Sequence, residues 1–312
     1  MIDFSYTGHE SFPLRISWLP KAVAALESGI DPFSDPREGM TRLGLGKNMI
    51  QSLAYWVLAT GLAEKSENGL QLTEFAKMTL SRKDGFDPFL ENTQTLWLLH
   101  WNLCCGWVEG ENVRRPYAWH YFVNLLTDDE LIPSTTIERF AAGPPSRTTG
   151  KELSESTLRQ HFDIFVKTYV AGTANGTRST PEDALDSPLT TLGLIKESGD
   201  RKARDGKKET AYQINNSAKP TISKETFRHC LQQWWTSTHP SDSTLTVRQV
   251  ATEDNSPGRC FRLPETTIYQ FLTTLSESFP KEFQISESRQ QRTVSRLAKP
   301  RTATTFKAIY RP

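Results

Sequence analysis

Residues 41–80 restrict the fold most strongly, because they combine a glycine turn, an amphipathic helix and a hairpin in one short stretch. After the turn at Leu43–Gly46, apolar residues recur at the spacing of a helix that is buried on one face. These residues are Ile50, Leu53, Ala54, Val57 and Leu58. Gly61 ends the helix, two short strands surround the turn at 68–69, and Thr73 caps a further helix. This order of elements is typical of a winged helix.

The opposite face of the same helix is polar. In a winged helix this helix enters the DNA major groove, where lysine contacts phosphates and asparagine or glutamine forms paired hydrogen bonds to adenine. We therefore predict that the following residues contact DNA: Lys47, Asn48, Gln51 and Ser52. An alternative stays open, because winged helices also serve as protein-interaction modules.

A second, weaker copy of the pattern spans residues 128–218. Ser154 is a candidate cap for a helix that ends at Tyr169 and carries Arg159 and Gln160 on its outward face, and we predict that these two residues contact DNA. The stretch 196–209 forms the tip of the predicted wing. Its basic residues suit a phosphate backbone, but four acidic residues are interleaved, so a plain solvated hairpin is an equal alternative.

The remaining segments complete a mainly α, α+β, multi-domain chain. Four tryptophans between the two winged-helix patterns predict a buried core or a domain interface rather than a base-stacking surface: Trp97, Trp101, Trp107 and Trp119. His100 and His120 share this apolar setting and are predicted core histidines. The predicted domains are a winged-helix DNA-binding domain at 1–85, a Trp-rich helical connector at 86–127, a second winged-helix-like domain at 128–218, and a C-terminal α+β segment with a basic tail at 219–312.

Composition limits the class of protein. The 312 residues include 37 Lys and Arg against 36 Asp and Glu, and the mean hydropathy is −0.52. No apolar stretch suffices for a membrane span and the N-terminus does not resemble a signal peptide, so we expect a cytoplasmic protein with no membrane contact. Residues 288–312 hold seven basic and no acidic side chains, which suits either a nucleic-acid contact or a poorly ordered, solvated terminus.

The four cysteines do not suggest a metal site. Cys104, Cys105, Cys230 and Cys260 form no C-x-x-C pair and have no histidine at zinc-ligand spacing. We predict four reduced thiols in or near the core and no bound metal at these positions.

Catalytic signatures of the common enzyme classes are absent from the sequence. The densest polar group is GHESFPLR at residues 8–15, where His9, Glu10 and Arg15 are the candidate catalytic residues. A histidine beside a carboxylate is able to act as a general base or metal ligand in phosphodiester hydrolysis, and an arginine stabilises developing charge. In the alternative, Glu10 and Arg15 cap and pair at the first helix, with His9 packed beside them. A second acidic cluster at 182–186 suits Mg²⁺, or equally a helix N-terminus.

Several separated strings together resemble a bacterial family of unknown function, the SspB-like nicking components of single-strand DNA phosphorothioation systems. The strings occur in the family's order: GHESFPLR at 8–15, TRLGLGKNMIQSLAYW at 41–56, GFDPFLENTQTLWLLHW at 85–101, DALDSPLTTLGLI at 183–195 and SPGRCFRL at 256–263. The resemblance does not identify the family's catalytic residues, so the three candidates rest on local chemistry.

This resemblance implies a DNA-nicking endonuclease in DNA phosphorothioate modification and antiphage defence. Its substrate would be double-stranded DNA and its candidate cofactors are Mg²⁺ and Mn²⁺. The implied partners are a cysteine desulfurase, an ATP-pyrophosphatase-like protein and an ATPase. Two other functions stay open on the residues alone: a non-enzymatic winged-helix DNA-binding adaptor or transcriptional regulator, and a protein-binding scaffold.

Overall fold

The computed structural model describes residues 4–5, 8–105, 115–143, 153–171, 187–203, 205–298 and 302–310. Helices dominate these residues, and the strands form small sheets of two or three members. The predicted α+β class with a helical majority is therefore confirmed.

The first unit has three helices, a two-stranded hairpin and a further helix in chain order. Asp35 caps the second helix by accepting a hydrogen bond from the backbone nitrogen of Arg37 at 2.8 Å, and Gly44 ends that helix with a left-handed φ of 65°. Thr73 caps the last helix, as predicted. The elements are α1 (Trp18–Glu27), α2 (Pro36–Leu43), α3 (Lys47–Ala59), β2 (Ala63–Ser66), β3 (Gly69–Leu72) and α4 (Glu74–Leu80), with β1 (Phe4–Ser5) before them.

Close packing between α2 and the chain before it depends on Gly39. A β-carbon at this position would lie 2.1 Å from the carbonyl oxygen of Pro32, which is a backbone atom that cannot rotate away. We expect Gly39→Ala to lower the thermal midpoint, although alanine stabilises an exposed helix by about 1 kcal/mol relative to glycine. Gly46→Ala is the matched control, since its β-carbon would meet no atom closer than 3.9 Å. Equal melting of the two variants would contradict this packing.

The middle segment forms a deeply buried helix. All but the first two residues of α5 (Thr93–Cys105) are buried, and the side chains of Trp97, Trp101 and Trp119 are 0% exposed. The core prediction is thus confirmed for these three tryptophans, while Trp107 lies outside the described residues. The elements that follow are β4 (Arg115–Pro116), which pairs in parallel with β1, and α6 (Tyr117–Trp119), which continues as a π-helix at His120–Leu125.

His100 has the structural role that the sequence predicts. Its Nε2 lies 2.8 Å from the carbonyl oxygen of Cys260, which is only an acceptor, so Nε2 carries the proton. Its Nδ1 accepts from the hydroxyl of Tyr169 at 2.7 Å. Burial lowers the pKa of His100 to about 4, and the imidazole is therefore neutral at pH 7.

The second unit repeats the helix and hairpin arrangement. The predicted cap is confirmed, since the Ser154 hydroxyl accepts from the backbone nitrogen of Thr157 at 3.2 Å. Its sheet has the strand order β5–β7–β6. The elements are β5 (Glu130–Leu131), α7 (Pro133–Ala141), α8 (Glu155–Tyr169), a 3₁₀ turn (Pro188–Leu192), β6 (Ile195–Lys202) and β7 (Lys208–Ile214).

The C-terminal unit has the same strand order, β8–β10–β9, with helices between its first and second strands. Residues 288–298 are therefore not a solvated terminus. Arg292 in β10 pairs with Glu287 at 2.7 Å and lies over the Tyr269 ring. The elements are α9 (Lys224–Thr238), β8 (Thr244–Thr246), α10 (Val247–Thr252), α11 (Pro257–Cys260), α12 (Glu265–Ser278), β9 (Phe283–Glu287), β10 (Arg292–Arg296) and α13 (Thr302–Tyr310).

The units share one core. Buried apolar side chains from all four predicted segments form a continuous cluster, and the four domain boundaries stay a prediction. Two buried cations, Lys219 and Arg262, lie where the middle segment and the C-terminal unit meet. Lys219 Nζ donates to the carbonyl oxygens of Asn215 and Ser217, and the Arg262 guanidinium donates to the carbonyl oxygens of Phe122 and Leu126 at the end of the π-helix.

Candidate nucleic-acid interface and N-terminal loop

The N-terminal loop, residues 8–15, lies against α3. Trp56 Nε1 donates to the carbonyl oxygen of Phe12 at 3.1 Å, and the Ser52 hydroxyl lies 3.5 Å from the same oxygen. At Gly8 a β-carbon would lie 3.0 Å from the Tyr55 ring, and φ is +121°, so only glycine fits without strain. Residues 8–15, the densest polar group in the sequence, therefore pack against α3, the helix predicted to contact DNA.

The backbone of this loop is strained. Glu10 and Ser11 have φ values of 48° and 64°. These values lie in the left-handed region, which residues other than glycine, asparagine and aspartate rarely adopt. Strained residues cluster at active sites and ligand-binding turns, where the surrounding structure holds them in place. This strain makes the loop a candidate functional site.

His9 points inward and meets a partner that the sequence did not suggest. Its Nε2 lies 2.9 Å from Nδ1 of His161 in α8, and the two rings pack edge to face with centroids 4.7 Å apart. The Tyr55 ring also packs edge to face against His9, with ring centroids 5.7 Å apart. His9 therefore links the N-terminal loop to α3 and to α8, the two helices predicted to contact DNA.

Burial also sets the charge of His9. The side chain is 3% exposed, and burial, followed by the nearby His161, lowers the pKa of His9 to about 3. The imidazole is neutral at pH 7. A buried imidazole does not reach a phosphodiester in this conformation, so the packed alternative fits His9 better than the role of general base.

Three buried neutral histidines make the fold sensitive to acid. Burial lowers the pKa of His9 to about 3 and those of His100 and His229 to about 4. As the pH falls below 6.5, the unfolded chain binds protons at these histidines that the folded chain does not, so stability is lost on acidification.

We expect urea unfolding to show this loss between pH 6.5 and 4. Each histidine should contribute up to about 1.4 kcal/mol per pH unit to the fall in the free energy of unfolding. His9→Gln should therefore reduce the slope of that free energy against pH by about this amount relative to the wild type. Parallel curves for the two proteins would show that His9 is not buried and neutral.

The other two catalytic candidates have different surroundings. Glu10 is exposed. Arg15 is 4% exposed, and its guanidinium lies over the rings of Phe12 and Trp18 at 5.6 and 5.3 Å. Of the three candidates, only Glu10 presents its functional group to solvent.

The polar face of α3 lies next to this loop. Lys47, Asn48 and Gln51 are exposed, as predicted. Ser52 does not face outward as predicted: it is 0% exposed, because the N-terminal loop covers this part of α3. No acidic residue occupies the first turn of α3, so the positive end of the helix dipole is not neutralised there.

In the second unit, Arg159 on α8 is exposed and Gln160 is half-buried. The charges at the tip of the β6–β7 hairpin are partly neutralised. Arg201 pairs with Glu130, and Lys207 pairs with Asp205 at 2.9 Å. These pairs favour the solvated hairpin over a phosphate contact at the tip.

Metal ligands are not assembled in the part of the chain that the structure describes. Within it, no group of three or more His, Cys, Asp or Glu side chains is placed to hold a metal ion. The acidic cluster at 182–186 lies outside the described residues.

Among the described helices, none is long and apolar enough to cross a membrane.

His161 is the site residue that sequence reasoning missed. It follows Gln160 in the chain but is buried, and it lies 152 positions from His9. No local spacing signals such a pair. Only the packing of α8 against the N-terminal loop brings the two rings together.

Comparisons with known proteins cover almost the whole chain. The model of a family of proteins of unknown function, DUF4007, matches residues 6–310. A crystal structure of magnesium-bound SspB superposes with a TM-score of 0.80 at 23% sequence identity, covering 98% of this chain and 86% of that one. A second SspB crystal structure gives a TM-score of 0.77 with the same identity and coverage. No curated protein matches the chain.

The likeness to SspB at this identity establishes the fold. Together with the family match it confirms the predicted resemblance to an SspB-like family. The chain belongs to the DUF4007 family of proteins of unknown function.

Proposed function

We propose that this protein is the DNA-binding and strand-nicking component of a bacterial DNA phosphorothioate modification and antiphage defence system. Family membership and the whole-chain likeness to SspB support a place in a phosphorothioation system. The observation that carries the site is the strained N-terminal loop, which leaves Glu10 exposed and packs against α3, the helix on which Lys47, Asn48 and Gln51 are exposed.

The proposed DNA contact uses two helices. Lys47 neutralises a phosphate, and Asn48 and Gln51 reach base edges in the major groove. Arg159 and Gln160 of α8 contact the backbone farther along the duplex. The His9–His161 hydrogen bond ties α8 to the N-terminal loop, so both helices are held relative to the reacting strand.

Glu10 is the proposed catalytic residue. An exposed carboxylate is able to accept a proton from the water that attacks phosphorus. His9 and Arg15 are buried and act as positioning residues, because they hold the loop against α3, α8 and α1.

The proposed mechanism assigns no metal ligands among the described residues. The SspB of the comparison structure holds magnesium. The described residues of this chain do not assemble three metal ligands, so they do not fit a preformed metal site. Mg²⁺ and Mn²⁺ stay proposed cofactors, to be varied in the assay.

The test is relaxation of supercoiled plasmid by the purified protein with Mg²⁺, with Mn²⁺ or with EDTA, beside a binding assay on linear duplex. We expect open circles to accumulate under at least one metal condition. DNA binding without open circles, across pH and with the proposed desulfurase, pyrophosphatase-like and ATPase partners added, would overturn the nicking claim. That outcome would instead support the non-enzymatic adaptor.

A further inference from the structure

The four cysteines, which are scattered along the sequence, converge in the core. Cys104 and Cys105 end α5, Cys230 lies in α9 and Cys260 ends α11. All four are free thiols with 0% exposure, so the prediction of reduced thiols in the core is confirmed. The DNA-binding proposal uses none of them.

The sulfur atoms of Cys105 and Cys260 are in direct contact. The sulfur atoms of Cys105 and Cys260 lie 3.0 Å apart, although the two residues are separated by 155 positions. This distance is about 1 Å longer than a disulfide bond. The Cys104 sulfur lies 3.7 Å from the His100 ring and also hydrogen-bonds to Cys260. Among the described residues, no group of three or more His, Cys, Asp or Glu side chains is placed to hold a metal ion.

The pair is also electrostatically asymmetric. Burial raises the pKa of Cys105, and the nearby Cys260 raises it further. Burial alone would raise the pKa of Cys260 as well, but hydrogen bonds from the Cys104 and Cys105 thiols and the positive charge of Arg262 lower it to about 6. Cys260 therefore supplies the thiolate and Cys105 the thiol, which is the combination that thiol oxidation requires.

We propose that Cys105 and Cys260 are a redox modification site that forms a reversible disulfide in the presence of hydrogen peroxide. The Cys260 thiolate attacks the peroxide and breaks the oxygen–oxygen bond, which leaves a sulfenic acid and, after protonation, one water. The Cys105 sulfur then attacks the sulfenic sulfur, and a second water leaves. Two thiols are oxidised and one peroxide is reduced to two waters.

A half-buried turn lies against this pair. The Cys105 thiol donates to the carbonyl oxygen of Asn255 at 3.5 Å, and Asn255 is half-buried with a left-handed φ of 59°. Local opening of the turn at 253–256 gives a small oxidant access without unfolding the core. The resulting bond joins the end of α5 to α11.

The first measurement counts thiols. The full-length reduced protein has four cysteines, and after treatment with hydrogen peroxide, removal of the oxidant and denaturation, we expect two free thiols. Dithiothreitol should restore four. Trypsin digestion without reduction should yield residues 84–114 linked to residues 260–262. Cys104 and Cys105 share the first peptide, so variants must distinguish them.

Serine variants distinguish the possible pairs. Cys104→Ser and Cys230→Ser each have three thiols and should fall to one. Cys260→Ser should keep all three, whereas Cys105→Ser should form no intramolecular disulfide and should lose only the Cys260 thiol, as a sulfenic acid. A cross-link that persists in Cys105→Ser, or one that includes Cys230, would overturn the assignment. Four thiols remaining in the wild type after hours in millimolar peroxide would overturn the site itself, and this result does not depend on any variant folding.

Discussion

Replacing Lys47 with glutamate is expected to weaken binding to duplex DNA of every sequence by at least about tenfold near 0.1 M salt. Lys47 is exposed and begins α3, whose first turn carries no acidic residue. A phosphate there is attracted both by the ammonium group and by the positive end of the helix dipole, and charge reversal replaces this attraction with repulsion. Fluorescence anisotropy on labelled duplexes measures the change.

The salt dependence tests the mechanism separately from the affinity. Loss of one phosphate contact should flatten the slope of log affinity against log salt by about one unit. Gln51→Ala should instead weaken binding only at preferred sites, because it removes a base contact. Lys281→Glu is the matched control, since it makes the same charge change at an exposed position of the C-terminal unit.

Equal losses in Lys47→Glu and Lys281→Glu would mean that net charge alone governs binding, and the α3 interface would be wrong. Full affinity in Lys47→Glu would favour the protein-binding scaffold.

Replacing Glu10 with glutamine is expected to lower the rate of plasmid nicking at least about 100-fold and to leave DNA affinity unchanged. Glutamine keeps the shape of the side chain but removes the carboxylate that accepts a proton, and general base catalysis contributes about 10²–10⁴-fold. The loop conformation should survive, because its anchors are the Trp56 bond to Phe12 and the His9–His161 pair, neither of which involves the Glu10 side chain.

Two further variants separate chemistry from positioning. Glu277→Gln, an exposed carboxylate in the C-terminal unit, is the matched control and should nick at the wild-type rate. His161→Gln should lower nicking less than Glu10→Gln does and should leave unchanged the pH at which the rate is half-maximal, because His161 acts by holding the loop. Full nicking by Glu10→Gln would place the catalytic group elsewhere in the chain.

Local patterns in the sequence determined the elements whose causes are local. The apolar spacing from Ile50 to Val57 predicted the buried face of α3, because side chains three and four positions apart share a helix face. Thr73 and Ser154 predicted helix starts, because a cap needs only its own hydroxyl and a backbone nitrogen three positions ahead. Burial of Trp97, Trp101 and Trp119 followed from their size and apolar surroundings.

Strand pairing in the C-terminal unit was not predictable in this way. β9 and β10 are short, and each has one buried residue, so neither has a strong alternating pattern. Their sheet depends on β8, which lies about 50 positions earlier and pairs with β10 rather than with its sequence neighbour β9.

Tertiary structure alone decided the candidate site. It buried Ser52 beneath the N-terminal loop, turned His9 inward against His161, left Glu10 exposed and brought Cys105 to Cys260. Cys105 and Cys260 are 155 positions apart and the two histidines are 152 apart, so no local spacing in the sequence predicts either contact. Local spacing fixes which face of a helix is apolar, whereas the element that covers that face is chosen by the packing of the whole chain.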